Sequence, residues 1–111
     1  MEYSFEEHGN AIKISMAGKM VAGKAEEIKE KLQTALEKKH NLVLDFSGVT
    51  DIDSTGLGAL VYLLHKAKSM DGNVKLACIQ PRPRIVFDVT KVYRVFDIFD
   101  SVEAALDSFD E

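Results

Sequence analysis

The chain has 111 residues, 46% of them hydrophobic and 29% charged, with only two prolines. That is room for one domain with one core, residues 1–111, and it excludes disordered and fibrous classes. A net charge of −4, no Lys/Arg cluster longer than a pair, and no apolar run near the roughly 20 residues of a membrane span exclude nucleic acid and membrane as expected partners; with no basic and then apolar leader, a cytoplasmic location is expected.

Tyr3 and Phe5, then Ile12, Ile14 and Met16 across Gly9-Asn10, alternate with polar residues. That period of two predicts a hairpin of half-buried strands, the second ending at Gly18. Residues 22–39 place Ile28, Leu32, Ala35 and Leu36 on one helical face, opposite a Glu/Lys face. Leu42, Val43, Leu44 and Phe46 form the short apolar run of a central strand, which Ser47-Gly48 is expected to stop. Leu57, Leu60, Val61 and Leu64 then mark a helix to about Met70. Between strand and helix lies Asp51-Ile52-Asp53-Ser54-Thr55-Gly56, where Asp53, Ser54 or Thr55 is the N-cap and free backbone N–H groups face an anion-friendly end.

Asp71-Gly72-Asn73 turns the chain into a strand over residues 74–79, which contains the only cysteine, Cys78, read as a buried, inert thiol. Pro81 and Pro83 open a helix with Ile85, Val86, Val89 and Val92 at helical spacing. A short strand over 95–99 follows. Asp100-Ser101-Val102-Glu103 has the spacing of a capping box, and Val102, Ala105, Leu106 and Phe109 stripe the last helix. The order β-β-α-β-α-β-α-β-α predicts an α/β fold: a mixed, mostly parallel sheet of about five strands with one antiparallel N-terminal strand, covered by about four helices. Sites in such sheets favour the carboxyl ends of strands, where the turn at residues 51–56 sits.

Asp51-x-Asp53-x-Thr55 matches the start of a phosphatase with an aspartate nucleophile. In that mechanism, however, the Asp leaves the strand directly, whereas Ser47-Gly48-Val49-Thr50 separates Asp51 from the expected strand, and no later Asp-Asp or Gly-Asp pair offers a magnesium site. A calcium loop would need Glu at its twelfth position, which is Tyr62. No phosphate loop is present, and His8, His40 and His65 stand apart with no ligand spacing, so neither metal nor cofactor is expected and each histidine reads as a surface residue. The structural reading of the turn makes Ser54 the cap, with Gly56 and Gly58 allowing close packing.

Asp45-Phe46-Ser47-Gly48-Val49-Thr50-Asp51-Ile52-Asp53-Ser54-Thr55-Gly56-Leu57-Gly58 resembles the hallmark of the STAS domain, and the flanking elements, including Phe99-Asp100-Ser101-x-Glu103-Ala104-Ala105-Leu106, extend the resemblance over almost the whole chain. In particular the chain resembles a stand-alone anti-sigma factor antagonist. The resemblance implies a non-enzymatic partner-switching regulator: an anti-sigma factor that is also a serine kinase phosphorylates Ser54, and a metal-dependent Ser/Thr phosphatase reverses it. Asp51, Asp53, Ser54, Thr55, Gly56, Leu57, Gly58 and Tyr62 are the expected partner-binding residues. The chain departs from the family where members often carry G-E-[L/I/V]-D, for it has Gly18-Lys19-Met20-Val21. The alternative functions are a STAS module in another signalling complex, or the small phosphatase. An exposed serine at a helix start suits a kinase, while the Thr55 hydroxyl is expected to be tied to the backbone. Ala59, Tyr62 and Leu63 add apolar surface to the helix, which either docks a partner or packs under a neighbouring helix.

Overall fold

The structure, a computed structural model, describes residues 1–110. The alternating N-terminal segment forms β1 (Glu2–His8) and β2 (Ala11–Met20), paired antiparallel with Phe5 opposite Ile14. The chain continues through α1 (Ala25–Lys38), β3 (Asn41–Ile52), α2 (Ser54–Ser69), β4 (Asn73–Ala77), α3 (Pro81–Thr90), β5 (Asp97–Phe99) and α4 (Val102–Asp107). Short 3-10 turns follow α3 and α4. The sheet order is β1-β2-β3-β4-β5, and every pairing after the first is parallel. The expected mixed sheet with four helices is what forms.

Alternation along β3 divides the interior. Leu42, Leu44 and Phe46 face the main core, which they share with Ile28, Leu32 and Leu36 of α1, Leu60 and Leu63 of α2, and Phe87 of α3. Val43 points to the other face, where Ala77 and Ala105 form a small second cluster flanked by Phe99, Val102, Leu106 and Phe109. Three helices therefore cover one face and α4 the other. Ser101 caps α4 by accepting a bond from the Ala104 N–H, one position later than the Asp100 cap that the box spacing suggested.

Two predicted strand ends do not occur. Ser47-Gly48 does not stop β3, and Gly18 does not stop β2; both strands run on in parallel to the Met20–Ile52 pair. The register shifts between Ser15 and Ala17 and again between Gly18 and Lys19, so the glycines mark bulges rather than ends. A side chain at Gly48 would stand 2.8 Å from the Met16 carbonyl oxygen, which is why the approach there needs glycine. The extension delivers Asp51 and Ile52 to the sheet edge as part of β3. Asp51 is thus not separated from the strand, and that argument against the phosphatase falls.

At the other end of the chain, β4 stops at Ala77. Cys78 lies beyond it with φ of +61° and is half-buried, its Sγ 3.5 Å from the Asp100 carbonyl. Burial, and then the Asp45 charge, push its thiol pKa up. The apolar stripe predicted for α3 is only partly buried: Val86 and Val92 pack against the core, but Ile85 and Val89 are exposed, and Pro83 and Phe87 are the buried residues. Among the described residues, no helix is long and apolar enough to cross a membrane.

Candidate functional site

The turn from β3 into α2 is held by one side chain. Asp53, in extended conformation, is the N-cap: its carboxylate accepts from the Gly56 N–H at 2.9 Å and, through its other oxygen, from the Ala22 N–H at 2.9 Å. Its own N–H donates to the Met20 carbonyl at 3.3 Å. These backbone bonds, Gly56 first and Ala22 second, keep the Asp53 carboxyl below the usual carboxylate range. The cap is therefore Asp53 and not Ser54, and the positive end of the helix is already occupied by a carboxylate of its own chain.

Gly56 completes the joint. A Cβ there would stand 2.1 Å from the Met20 carbonyl oxygen, so α2 starts in direct backbone contact with the end of β2. Gly58 is different. It is exposed, and a Cβ built on it meets nothing within 4 Å. Of the two glycines expected to permit close packing, only Gly56 does so.

With the backbone fixed in this way, Ser54 and Thr55 are both exposed at the first turn of α2. The expected difference between the two hydroxyls is absent, since Thr55 makes no side-chain hydrogen bond among the described residues. Gly56 and Leu57 are buried beneath them. One and two turns further along α2, Gly58 and Tyr62 are exposed, and the Tyr62 ring lies 4.9 Å from the Lys29 ammonium of α1. Ala59 and Leu63 are fully buried, which leaves Tyr62 as the only exposed residue of the three predicted to widen the apolar surface.

Asp51 has a partner that the sequence reading did not find. Arg82, the second residue of α3, donates to its Oδ1 at 2.6 Å, while Thr50 Oγ1 donates to its Oδ2 at 3.0 Å. Asp51 and Arg82 are 31 positions apart, and only the parallel order β3-β4 brings their loops together at one sheet edge. Sites in parallel sheets favour the carboxyl ends of strands, which is where the Asp51–Arg82 pair lies.

Both carboxylates of the turn are thus engaged in structural bonds. Among the described residues, no group of three or more His, Cys, Asp or Glu side chains is placed to hold a metal ion. A groove of about 870 Å³ runs between β1 and α1 over Phe5, Ile12 and Ala35, and no residue of the turn lines it. The turn presents two exposed hydroxyls, Ser54 and Thr55, on a backbone held by the Asp53 cap and the Gly56–Met20 contact.

The STAS domain model matches residues 2–105. The anti-sigma-B factor antagonist of Bacillus subtilis is 30% identical over 93 residues, covering 84% of this chain and 85% of its own length. A Thermotoga maritima protein of known structure superposes with a TM-score of 0.89 at 22% identity, over 98% of this chain and 95% of that one. The anti-sigma factor antagonist SpoIIAA superposes in its unphosphorylated form with a TM-score of 0.83 at 20% identity, over 98% and 96% of the two chains. Its phosphorylated form, from Bacillus, does so with a TM-score of 0.73 at 20% identity, over 97% and 99%. With a family match across nearly every described residue, on the fold that family shares, this chain belongs to the STAS domain family.

Proposed function

We propose that the chain is a non-enzymatic, cytoplasmic anti-sigma factor antagonist that works by partner switching. Unmodified, it binds an anti-sigma factor that is also a serine kinase. Phosphorylation of Ser54 releases it, and a metal-dependent Ser/Thr phosphatase restores it. The supporting observation is the placement of Ser54: exposed, first in α2, on a turn whose backbone is fixed by the Asp53 cap and the Gly56–Met20 contact. A kinase can reach that hydroxyl without unfolding anything. The relative named an anti-sigma-B factor antagonist and the phosphorylated form of SpoIIAA favour the same reading.

Release is expected to act at the partner rather than within the chain. Phosphoserine carries about −1.5 to −2 charges, and the carboxylates that would repel it are each engaged, Asp53 by two backbone N–H groups and Asp51 by Arg82 and Thr50. The cost falls on desolvating the dianion against a docked surface. A loss of roughly 3 kcal/mol corresponds to about a hundredfold in affinity. Ser54, Thr55, Gly58 and Tyr62 form the exposed contact face in this reading, while Gly56 and Leu57 hold it from beneath.

The test is capture of the anti-sigma factor from the source organism with Ser54→Ala, followed by calorimetric titration. Ser54→Ala is expected to bind constitutively, and Ser54→Asp to bind at least about a hundredfold more weakly while melting within a few degrees of wild type. Equal affinities would overturn the switch. A large drop in melting temperature for Ser54→Asp would instead make Ser54 a structural residue. Magnesium-dependent phosphomonoesterase activity that is lost in Asp51→Asn would revive the enzymatic alternative.

A further inference from the structure

Three segments meet the turn that carries Ser54, through Asp51 and Asp53, and each brings a cation. At the end of β2, exposed Lys19 is the register partner of Asp51. The loop that follows lies against the turn through the Ala22–Asp53 bond and is closed by the Lys24 N–H donating to the Val21 carbonyl; Lys24, the N-cap of α1, is exposed. From α3 comes Arg82, 76% exposed although bonded to Asp51. Among the described residues, neither Lys19 nor Lys24 makes an ion pair.

The nearby carboxylates do not balance this excess. Asp51 and Asp53 are engaged as described above. At the start of α1, Glu26 lies 3.6 Å from Lys29, and Glu27 accepts from the Tyr3 hydroxyl and lies 4.0 Å from the terminal amine. On the turn and the segments bonded to it, the three cations Lys19, Lys24 and Arg82 stand against the two carboxylates Asp51 and Asp53, in a chain whose net charge is −4. The local sign is opposite to that of the whole molecule.

We propose that Lys19, Lys24 and Arg82 form a cationic rim around Ser54, which selects an acidic surface on the anti-sigma factor and which a phosphate on Ser54 engages and reverses in sign. This rests on the Ser54 switch described above. A group of about −1.5 to −2 charges exceeds the small positive excess of the rim, so the same modification that adds bulk also turns attraction into repulsion. Arginine suits the role because its guanidinium pairs with phosphate oxygens bidentately, and the exposed lysine stems can reorient. Exposed charges of this kind act chiefly on encounter rates and salt dependence.

Two measurements test it. The first needs only this chain, with phosphoserine genetically encoded at position 54 and its ionisation followed by phosphorus NMR. The second phosphate pKa is expected to lie about half a unit below the ordinary value near 6, and Lys19→Gln and Arg82→Gln are each expected to restore part of that difference. A titration unmoved by both substitutions overturns the rim. The second measures association with the anti-sigma factor captured as above, at about 50 and about 300 mM salt. The wild-type rate is expected to fall several-fold with salt, and Lys19→Glu to slow it comparably at low salt without changing the melting temperature. A rate indifferent to both overturns the acidic partner. If no anti-sigma factor is captured, the proposed function fails, while the phosphorus titration still decides the rim.

Discussion

Helices α2 and α3 pack on the same face of the same sheet, and both carry apolar residues at helical spacing, yet they are buried to different degrees. α2 buries Leu57, Ala59, Leu60, Leu63, Leu64 and Ala67 along its length. α3 buries only Pro83 and Phe87, and leaves Ile85 and Val89 exposed at 60% and 76%. The difference lies in what each helix finds beneath it. α2 lies over β3 and β4 and has α1 alongside it, so it meets apolar side chains such as Leu42, Leu44, Leu76 and Leu32 both beneath it and beside it. α3 meets the sheet at β3, where the contact on offer is aromatic: Phe87 meets Phe46 of β3 edge-on at 6.1 Å, and Phe96 at 6.5 Å between ring centres. One large ring fixes the rotation of the helix. Periodicity identifies a helix and its apolar residues, but the neighbour decides which of them turn inward.

The largest effect in this comparison belongs to the single anchor of α3. Phe87→Ala is expected to cost about 3–5 kcal/mol, through lost burial and the cavity left between Phe46 and Phe96. Val89→Ala, on the same helix, is expected to change stability by less than about 0.5 kcal/mol. Urea unfolding of both variants checks this, and a comparable loss for Val89→Ala would show that the face of α3 carrying Ile85 and Val89 is covered after all.

The next effect tests the joint that gives α2 its fixed start. Gly56→Ala places a methyl group where the Met20 carbonyl already stands, at 2.1 Å, and a backbone atom cannot swing aside as a side chain can. Overpacking of this kind costs typically about 1–3 kcal/mol, and the upper end is expected here. For a domain of this size that lowers the melting temperature by roughly 10 °C or more. A variant that melts with wild type would mean that β2 and α2 separate readily, and the Gly56–Met20 contact would then not hold the turn.

How far these features could be read from the chain depends on whether they are local. The elements, their order and the burial of Ile28, Leu32, Ala35 and Leu36 follow from periodicity within one segment. So does the strand-turn-helix frame of the site, including Asp53 as one of three candidate caps. What periodicity could not supply were facts about neighbours. Gly48 and Gly18 have the local appearance of strand ends, but β2 and β3 keep pairing past them because each strand completes the other's hydrogen bonds through the bulges. Gly56 and Gly58 look alike in sequence and differ only in whether Met20 lies opposite. Arg82 could not be tied to Asp51 without knowing that β3 and β4 are adjacent. The Thr55 hydroxyl has no backbone partner among the described residues because the residues one turn back, Asp51 and Ile52, belong to β3 and not to a preceding helical turn.

A smaller effect depends on pH. The Asp53 carboxyl is held below its ordinary range by bonds that exist only in the folded chain, so its stabilising contribution is present above the unfolded value of about 3.9 and is lost as pH falls through the lower folded value. Asp53→Ala is therefore expected to melt several degrees below wild type at neutral pH, with the gap closing progressively below about pH 4. Thermal melts of the two proteins across that range check the sign. A gap that persists undiminished at pH 2 would mean that the carboxylate charge is not what holds the turn, and that the hydrogen bonds to Gly56 and Ala22 serve equally well with a neutral acid.

The smallest stability effect is the one that bears most directly on function. Gly58 lies in the interior of α2, exposed, with open space where a Cβ would go. Nothing in the fold requires glycine there, and a glycine in a helix interior is worse than alanine by about 0.5–1 kcal/mol because the unfolded chain has more freedom to lose. Gly58→Ala should therefore raise the melting temperature by a few degrees, where Gly56→Ala lowers it. A residue that costs stability and supports no contact within the chain is expected to serve something outside it, and the exposed line from Ser54 through Gly58 to Tyr62 is where a partner would need close approach to the backbone. In calorimetric titration with the anti-sigma factor, the stabilised Gly58→Ala protein is expected to bind at least several-fold more weakly than wild type. Unchanged affinity in the more stable variant would move the docking surface off this face of α2 and leave Ser54 to be read at the edge of an interface rather than within it.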